Sequence, residues 1–176
     1  RVSVDGGWHL PLIGQRGDIA KISATARGDL YHVRKLVLNS KSNKHTGFSG
    51  RIRPQIKADW RLPLARQHNK VSETLEPLGS LIISPYGGNP QKIPNEDSIS
   101  MEFDDTNLFS DNIFTGYDRV AGGARIKYGL KWGLVGSSGG YTNAFIGQRY
   151  RPRNDATFPA GSGLEGLLSD YVGRIN

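Results

Sequence analysis

From residue 48 to 64 every even position is apolar or glycine: Phe48, Gly50, Ile52, Pro54, Ile56, Ala58, Trp60, Leu62 and Leu64. Most of the odd positions between them are polar: Ser49, Arg51, Arg53, Gln55, Lys57, Asp59 and Arg61, then Pro63. A period of two puts these sets on opposite faces of an extended strand, whereas a helix would mix them. The same alternation runs over 120–134, where Val120, Gly122, Ala124, Ile126, Tyr128, Leu130, Trp132 and Leu134 oppose Arg119, Ala121, Gly123, Arg125, Lys127, Gly129, Lys131 and Gly133. It recurs at Val2, Val4, Gly6, Trp8, Leu10 and Leu12, and at Ala20, Ile22, Ala24 and Ala26 opposite Lys21, Ser23, Thr25 and Arg27. Residues 71–85 alternate more weakly, with Val71, Leu75, Pro77, Leu81 and Ile83 on the apolar side. Residues 141–150 are strand-like, and the pattern leaves their outward face open.

A half-buried sheet in a soluble protein alternates too, so length has to decide. Soluble strands cluster near 5–6 residues, while a tilted strand crossing a bilayer needs about 9–11. The runs over 48–64 and 120–134 exceed both. No window approaches the roughly 18 consecutive apolar residues of a spanning helix, so any crossing of a membrane is by strands. The sequence therefore predicts an all-β fold, a transmembrane antiparallel β-barrel segment of about seven strands within a larger barrel. Such barrels join strands by short periplasmic turns and long extracellular loops. Short connections are expected near 13–17, 66–70 and 136–139, and long ones near 33–47, 86–118 and 151–168. Pro54 and Pro77 lie within strands, remove a ladder donor each, and are expected to mark bulges.

Trp8, Trp60 and Trp132 share the apolar side, each expected four or five residues before a short turn. That spacing predicts an aromatic girdle at the periplasmic water–lipid boundary, where an indole ring rests in lipid with its N–H wet. With lipid outside, Arg51, Arg53, Lys57, Arg61, Arg125, Lys127 and Lys131 become a lumen-facing cationic wall. The net charge of +7 then belongs to an enclosed interior and not to a nucleic-acid surface, which would carry its charge on exposed helices or loops.

Bond-making chemistry finds little support. There is no cysteine, and His9, His32, His45 and His68 lack metal-ligand spacing. The pairs Glu96-Asp97 and Asp104-Asp105 read as solvated loop charge, and the glycine clusters lack the lysine and helix of a phosphate-cradling loop. We expect no enzyme activity, no cofactor and no metal. The chain opens at Arg1 without a starting methionine or an apolar signal segment and closes in a strand-like stretch over 171–176, so we read it as a piece of a longer protein.

The 86–118 connection is far longer than usual, which points to function. It holds IPNEDS at 93–98 and FDDTNLF at 103–109, and GYDRVAGG at 116–123 runs on from it. With RIRPQIKADW at 51–60, TLEPLGSLIISPY at 74–86, GYDRVAGGARIKYG at 116–129, FIGQRY at 145–150 and LSDYVGR at 168–174, this ordered set resembles the barrel domain of the LptD family of lipopolysaccharide-assembly proteins, especially alphaproteobacterial members. The resemblance covers roughly residues 48–176; residues 1–47 share only strand character. It implies that 1–176 is part of one outer-membrane barrel domain of a Gram-negative cell, with no N-terminal jellyroll. It further implies a translocon that takes lipopolysaccharide from periplasmic bridge proteins through a domain outside these residues and inserts it into the outer leaflet. An LptE-like lipoprotein plugs such barrels, and Asp104, Asp105, Tyr117, Asp118 and Arg119 are the candidate plug-contacting loop. Neither the gate strands nor the family's cysteines fall in these residues. The alternatives are a diffusion porin or other outer-membrane channel, and a soluble carbohydrate-binding β-sandwich. The sandwich would bury the apolar faces beneath a second protein layer; the barrel would leave them uncovered.

Overall fold

A computed structural model describes residues 1–38, 44–98, 101–154 and 157–176. These form a single antiparallel sheet, with no helix among the described residues. In chain order its strands are β1 (Val2–Ile13), β2 (Ile19–Val37), β3 (Lys44–Arg61), β4 (Leu64–His68), β5 (Val71–Ile83), β6 (Arg125–Gly136), β7 (Tyr141–Tyr150) and β8 (Val172–Ile175). They lie in the order β1-β2-β3-β5-β6-β7-β8, and β4 pairs with β5. β4 continues β3. The β3–β5 ladder ends at Arg61↔Leu78 and the β4–β5 ladder begins at Leu64↔Leu75, the same register with two rows left out.

Those two rows bring Pro63 close to Pro77, and neither has an N–H to give. Leu62 still donates to the Pro77 carbonyl at 3.1 Å, so the ladder thins without slipping. The expected bulges at Pro54 and Pro77 are thus absent. Pro54 pairs in register with Ala26 and Pro77 with Leu130, and Pro54 stands beyond the end of the β3–β5 ladder, which stops at Ile56↔Ile83. The irregularity in β2–β3 falls elsewhere, between Val33 and Leu36, where Lys35 adopts φ 55° and donates its N–H to Thr46 Oγ1.

The short connections are 14–18, 69–70 and 137–140. Asn69 closes the second in the left-handed region, φ 45°, which asparagine tolerates. The connections 84–124 and 151–171 are long. The β2–β3 ladder runs on past its irregularity to Val37↔Lys44, into the 33–47 stretch expected to be a long connection. Alternation also overshoots at 120–124: Val120 and Ala121 are consecutive and both buried, which no strand facing solvent on one side permits, and β6 begins only at Arg125.

Register makes the two faces continuous across the sheet. Trp8 opposes Ala24, Ala24 opposes Ile56 and Ile56 opposes Ile83; farther along, Leu81 opposes Ile126 and Leu130 opposes Ile146. The last pair assigns β7: Thr142, Ala144, Ile146, Gln148 and Tyr150 share the apolar face, while Phe145, Gly147 and Arg149 stand with Lys127 and Lys131.

Burial is inverted relative to a water-soluble sheet. The apolar face is bare: Ile52 is 80% exposed, Val4 71% and Ile56 57%. The polar face is covered over its middle, away from β1 and the short-turn end, and Arg125 and Arg149 are among the largest fully buried side chains. A soluble monomer rarely shows a contiguous apolar patch above a few hundred Å². The described apolar core is confined to the long connections and what touches them: Ile113, Phe114, Ala121, Phe158 and Leu164 in one cluster, Tyr31, Val33 and Ile93 in another.

Candidate functional site

The polar face carries more basic than acidic side chains, and the sheet alone cannot neutralise it. Arg27 lies directly opposite Arg53, a repulsive pair. Asp29 relieves part of this, accepting Arg27 Nε at 2.8 Å and Arg51 Nε at 2.7 Å. What remains is met by the 84–124 loop, which folds back over the face. Lys127 Nζ donates to the Ser110 carbonyl, Arg53 and Arg125 donate to the Asp111 carbonyl at 3.1 and 2.8 Å, and Lys57 Nζ pairs with Asp111 Oδ1 at 2.8 Å. Arg51 reaches the carbonyls of Tyr117 and Asp118. Hydrogen bonds from charged donors are roughly twice as strong as neutral ones, so carbonyls gathered this way hold the loop firmly.

Of the cationic wall read from the sequence, Arg51, Arg53, Lys57, Arg125 and Lys127 therefore sit beneath the chain's own loop. Arg61 and Lys131 remain exposed toward the short-turn end, Arg61 loosely paired with Glu76 at 3.5 Å.

The loop is tied by side chains that imitate backbone. Asp118 accepts the N–H groups of Glu96 and Asp97, and Asp97 in return accepts those of Tyr117 and Asp118. Arg1 bridges both carboxylates at 2.7 and 2.8 Å. Asn89 exchanges two bonds with the backbone of Val120, and Asn112 spans Arg119 and Ala121. Asp104 closes its own turn on Thr106 and Asn107, while Asp105 faces Arg174 at 3.4 Å. Among the candidate loop residues, Asp104, Asp105 and Asp118 are thus committed to the fold. Arg119 is half-buried, and Tyr117 is exposed, its ring held between Arg1 and Arg27 at 4.9 and 4.3 Å.

Burial alone would raise the Asp97 carboxyl, but bonds from Arg1, Asp118 and Tyr117 outweigh it and hold the group well below the usual carboxylate range. Asp111 behaves likewise, with burial overcome by Lys57. Groups whose pKa falls on folding stabilise the docked loop above their unfolded value, and that contribution is lost as pH drops through the folded value. A nitroxide on a Glu102→Cys variant of the full-length protein should stay ordered from pH 7 to about 5 and become mobile only below about pH 4. Mobility rising near pH 6 would contradict this.

Leu108 and Phe109 anchor the loop on the sheet. Leu108 is 1% exposed and Phe109 meets Phe145 edge-on at 6.4 Å. The seat is Gly147, where an added Cβ would come within 2.4 Å of Leu108 Cδ2 and 2.9 Å of the Tyr128 carbonyl oxygen.

The three tryptophans all stand on the bare face. Trp8 precedes its strand end at Ile13 by five residues and Trp132 precedes Gly136 by four. Trp60 is eight residues short of His68 and not the four or five expected, although the turn at 69–70 falls within the 66–70 read from sequence. The row of Trp60 passes through Ala20 and Gly79, four residues nearer the short-turn end than the row of Trp8 through Ala24 and four short of the row of Trp132 through Leu75. This is one even oblique line, as a level ring traces across tilted strands. The Trp132 indole N–H donates to Glu73 at 2.8 Å.

The LptD family, described as LPS transport system D, matches residues 1–176. The chain belongs to the LptD family. The LPS-assembly protein LptD of Escherichia coli O1:K1 is 30% identical over 141 residues, covering 74% of this chain and 17% of that protein. LptD of Pectobacterium atrosepticum is 29% identical over 167 residues, 87% and 21% of the two chains. LptD of Cupriavidus pinatubonensis is 35% identical over 80 residues. The chain spans about a fifth of the length of the first two of these LptD relatives. Sequence reasoning passed over Arg1, Asp29, Asn89, Asp111, Asn112 and Gly147 in this LptD-family segment. The signal available for Asn89 and Asp97 was their place beside glycine- or proline-containing turns, where such side chains substitute for backbone partners.

Proposed function

We propose that this segment is a section of barrel wall in an outer-membrane lipopolysaccharide translocon, performing no bond-making step. Its bare face meets lipid, its charged face lines an enclosed aqueous passage, and Trp8, Trp60 and Trp132 sit at the periplasmic boundary. The long connections lie on the extracellular side. The cargo is lipopolysaccharide, received from periplasmic bridge proteins through parts of the protein outside this segment. An LptE-like lipoprotein is the plug, and it meets the exposed side of the folded-in loop, where Tyr117 offers an aromatic surface. One observation carries this reading: apolar side chains stay uncovered across seven strand positions while arginines and a lysine on the opposite face are buried. In water that arrangement forfeits about 1.5–3 kcal/mol for each large apolar side chain left exposed, and in hydrocarbon it does not.

The test uses the full-length protein in cells. Single cysteines replacing Leu81 and Ile126 should resist a membrane-impermeant maleimide that labels cysteines replacing His9 and Lys131 once the outer membrane is permeabilised. Depleting the protein should remove newly made lipopolysaccharide from the surface. Equal labelling on both faces would refute the wall, and undiminished surface lipopolysaccharide would refute the transport role.

A further inference from the structure

Four basic side chains from two strands, β3 and β6, converge on two adjacent residues of the loop. Lys127 binds the Ser110 oxygen, Arg53 and Arg125 bind the Asp111 oxygen, and Lys57 binds the Asp111 carboxylate. Carbonyl oxygens satisfy the direction of these bonds but carry only partial charge. Asp111 is the loop carboxylate among these contacts, and Asp59 shares Lys57 at 3.1 Å. Arg53 Nε is shielded from solvent and donates to nothing among the described residues. Beside Asp111 a cavity of about 390 Å³ opens, lined by His9, Arg27, Arg53, Gln55 and Tyr117 among others. The Asp111 side chain is 56% exposed, so it is reachable from that cavity.

We propose that Asp111 is a tethered anion occupying a phosphate site made by Lys57, Arg53, Arg125 and Lys127, and that an anionic group entering the cavity displaces it and releases the loop. This rests on the wall reading above, since it places the site inside the passage. A phosphate group brings up to two charges and three acceptor oxygens where Asp111 brings one charge and, to these side chains, two oxygens. It therefore satisfies donors that the loop leaves short. Arrival of the anionic end of a cargo molecule then becomes the event that undocks residues 104–118.

The probe is inorganic pyrophosphate, titrated into the full-length protein in detergent together with its native plug. Affinity is read by calorimetry and loop release by hydrogen exchange over 104–118. Asp111→Asn keeps the carbonyl contacts and removes the competing charge, so it should bind pyrophosphate about tenfold tighter than wild type. Adding Lys57→Gln should reverse most of that gain. Saturating pyrophosphate should raise exchange over 104–118 in the wild type. Equal affinity of wild type and Asp111→Asn would overturn the competition, and absence of binding to both would overturn the site. Neither result bears on the labelling and depletion experiments, so failure of the wall reading is recognised separately.

Discussion

An Ile56→Arg substitution is expected to remove most of the folded full-length protein from the membrane, while Thr25→Arg, at nearly the same height on the other face, leaves it in place. Ile56 is opposite Ala24 and Ile83 on the bare face and precedes Trp60 by four residues. That is ~13 Å along the strand, and a tilt of about 35–45° turns it into roughly 10 Å of depth. The apolar band of outer-membrane barrels is about 25 Å tall, so the proposed wall would put Ile56 near its middle, where arginine costs about 2–4 kcal/mol. Thr25 pairs with Gln55 on the polar face beside an open cavity. An arginine there keeps its hydration, and the cost should stay under about 1 kcal/mol. The measurement is the fraction of full-length protein that migrates as a folded species in unheated detergent gels after assembly in cells. If position 25 proves the more damaging, lipid lies against the charged face and the assignment of sides is wrong.

The same two positions show why the strands were legible from sequence. Each residue's face follows from its parity, and parity survives any error in strand ends. Phe48, Ile52, Ile56 and Trp60 line up whether the strand stops at Arg61 or continues through β4. The spacing from Trp60 did not survive: the turn at 69–70 falls within the expected 66–70, but the strand runs eight residues past Trp60, through the rows that hold Pro63 and Pro77. Only the paired register shows that they interrupt one ladder together and that the chain continues to Asn69. At 120–124 the failure runs the other way. Apolar alternation continued by chance into a loop, where Val120 and Ala121 are buried by packing among the loop residues and not by a pleat.

The loop's path was not legible, and the reason is chemical. The bonds that fix it run from arginines and a lysine to main-chain carbonyls, which every residue possesses and no sequence advertises. Asp97 and Asp118 lock together across a separation of 21 residues through each other's backbone N–H groups. Read alone, each is a loop carboxylate. The basic side chains share one face of the sheet, but their use within the molecule depends on where Ser110 and Asp111 come to rest, and that depends in turn on the anchor beside Gly147.

Gly147→Val should therefore undock the loop. Valine favours extended backbone over glycine, which offsets part of the crowding in β7. Its Cβ would stand 2.4 Å from Leu108 Cδ2, 2.9 Å from the Tyr128 carbonyl oxygen and 3.0 Å from Phe145 Cζ. The Tyr128 carbonyl belongs to the β6–β7 ladder and has little room to yield, so the added methyls keep their place and Leu108 must swing out of its seat. Overpacking of this kind costs about 1–3 kcal/mol, comparable to what one buried leucine contributes to holding the loop down. A nitroxide on Glu102→Cys in the full-length protein should change from ordered to mobile with Gly147→Val, while the folded fraction on unheated gels is unchanged. Adding Leu108→Ala should not deepen the defect, because the anchor is already lost, and that non-additivity identifies the contact. A loop that stays ordered in Gly147→Val would mean that the arginine and lysine contacts alone hold it, and that Leu108 is a passenger.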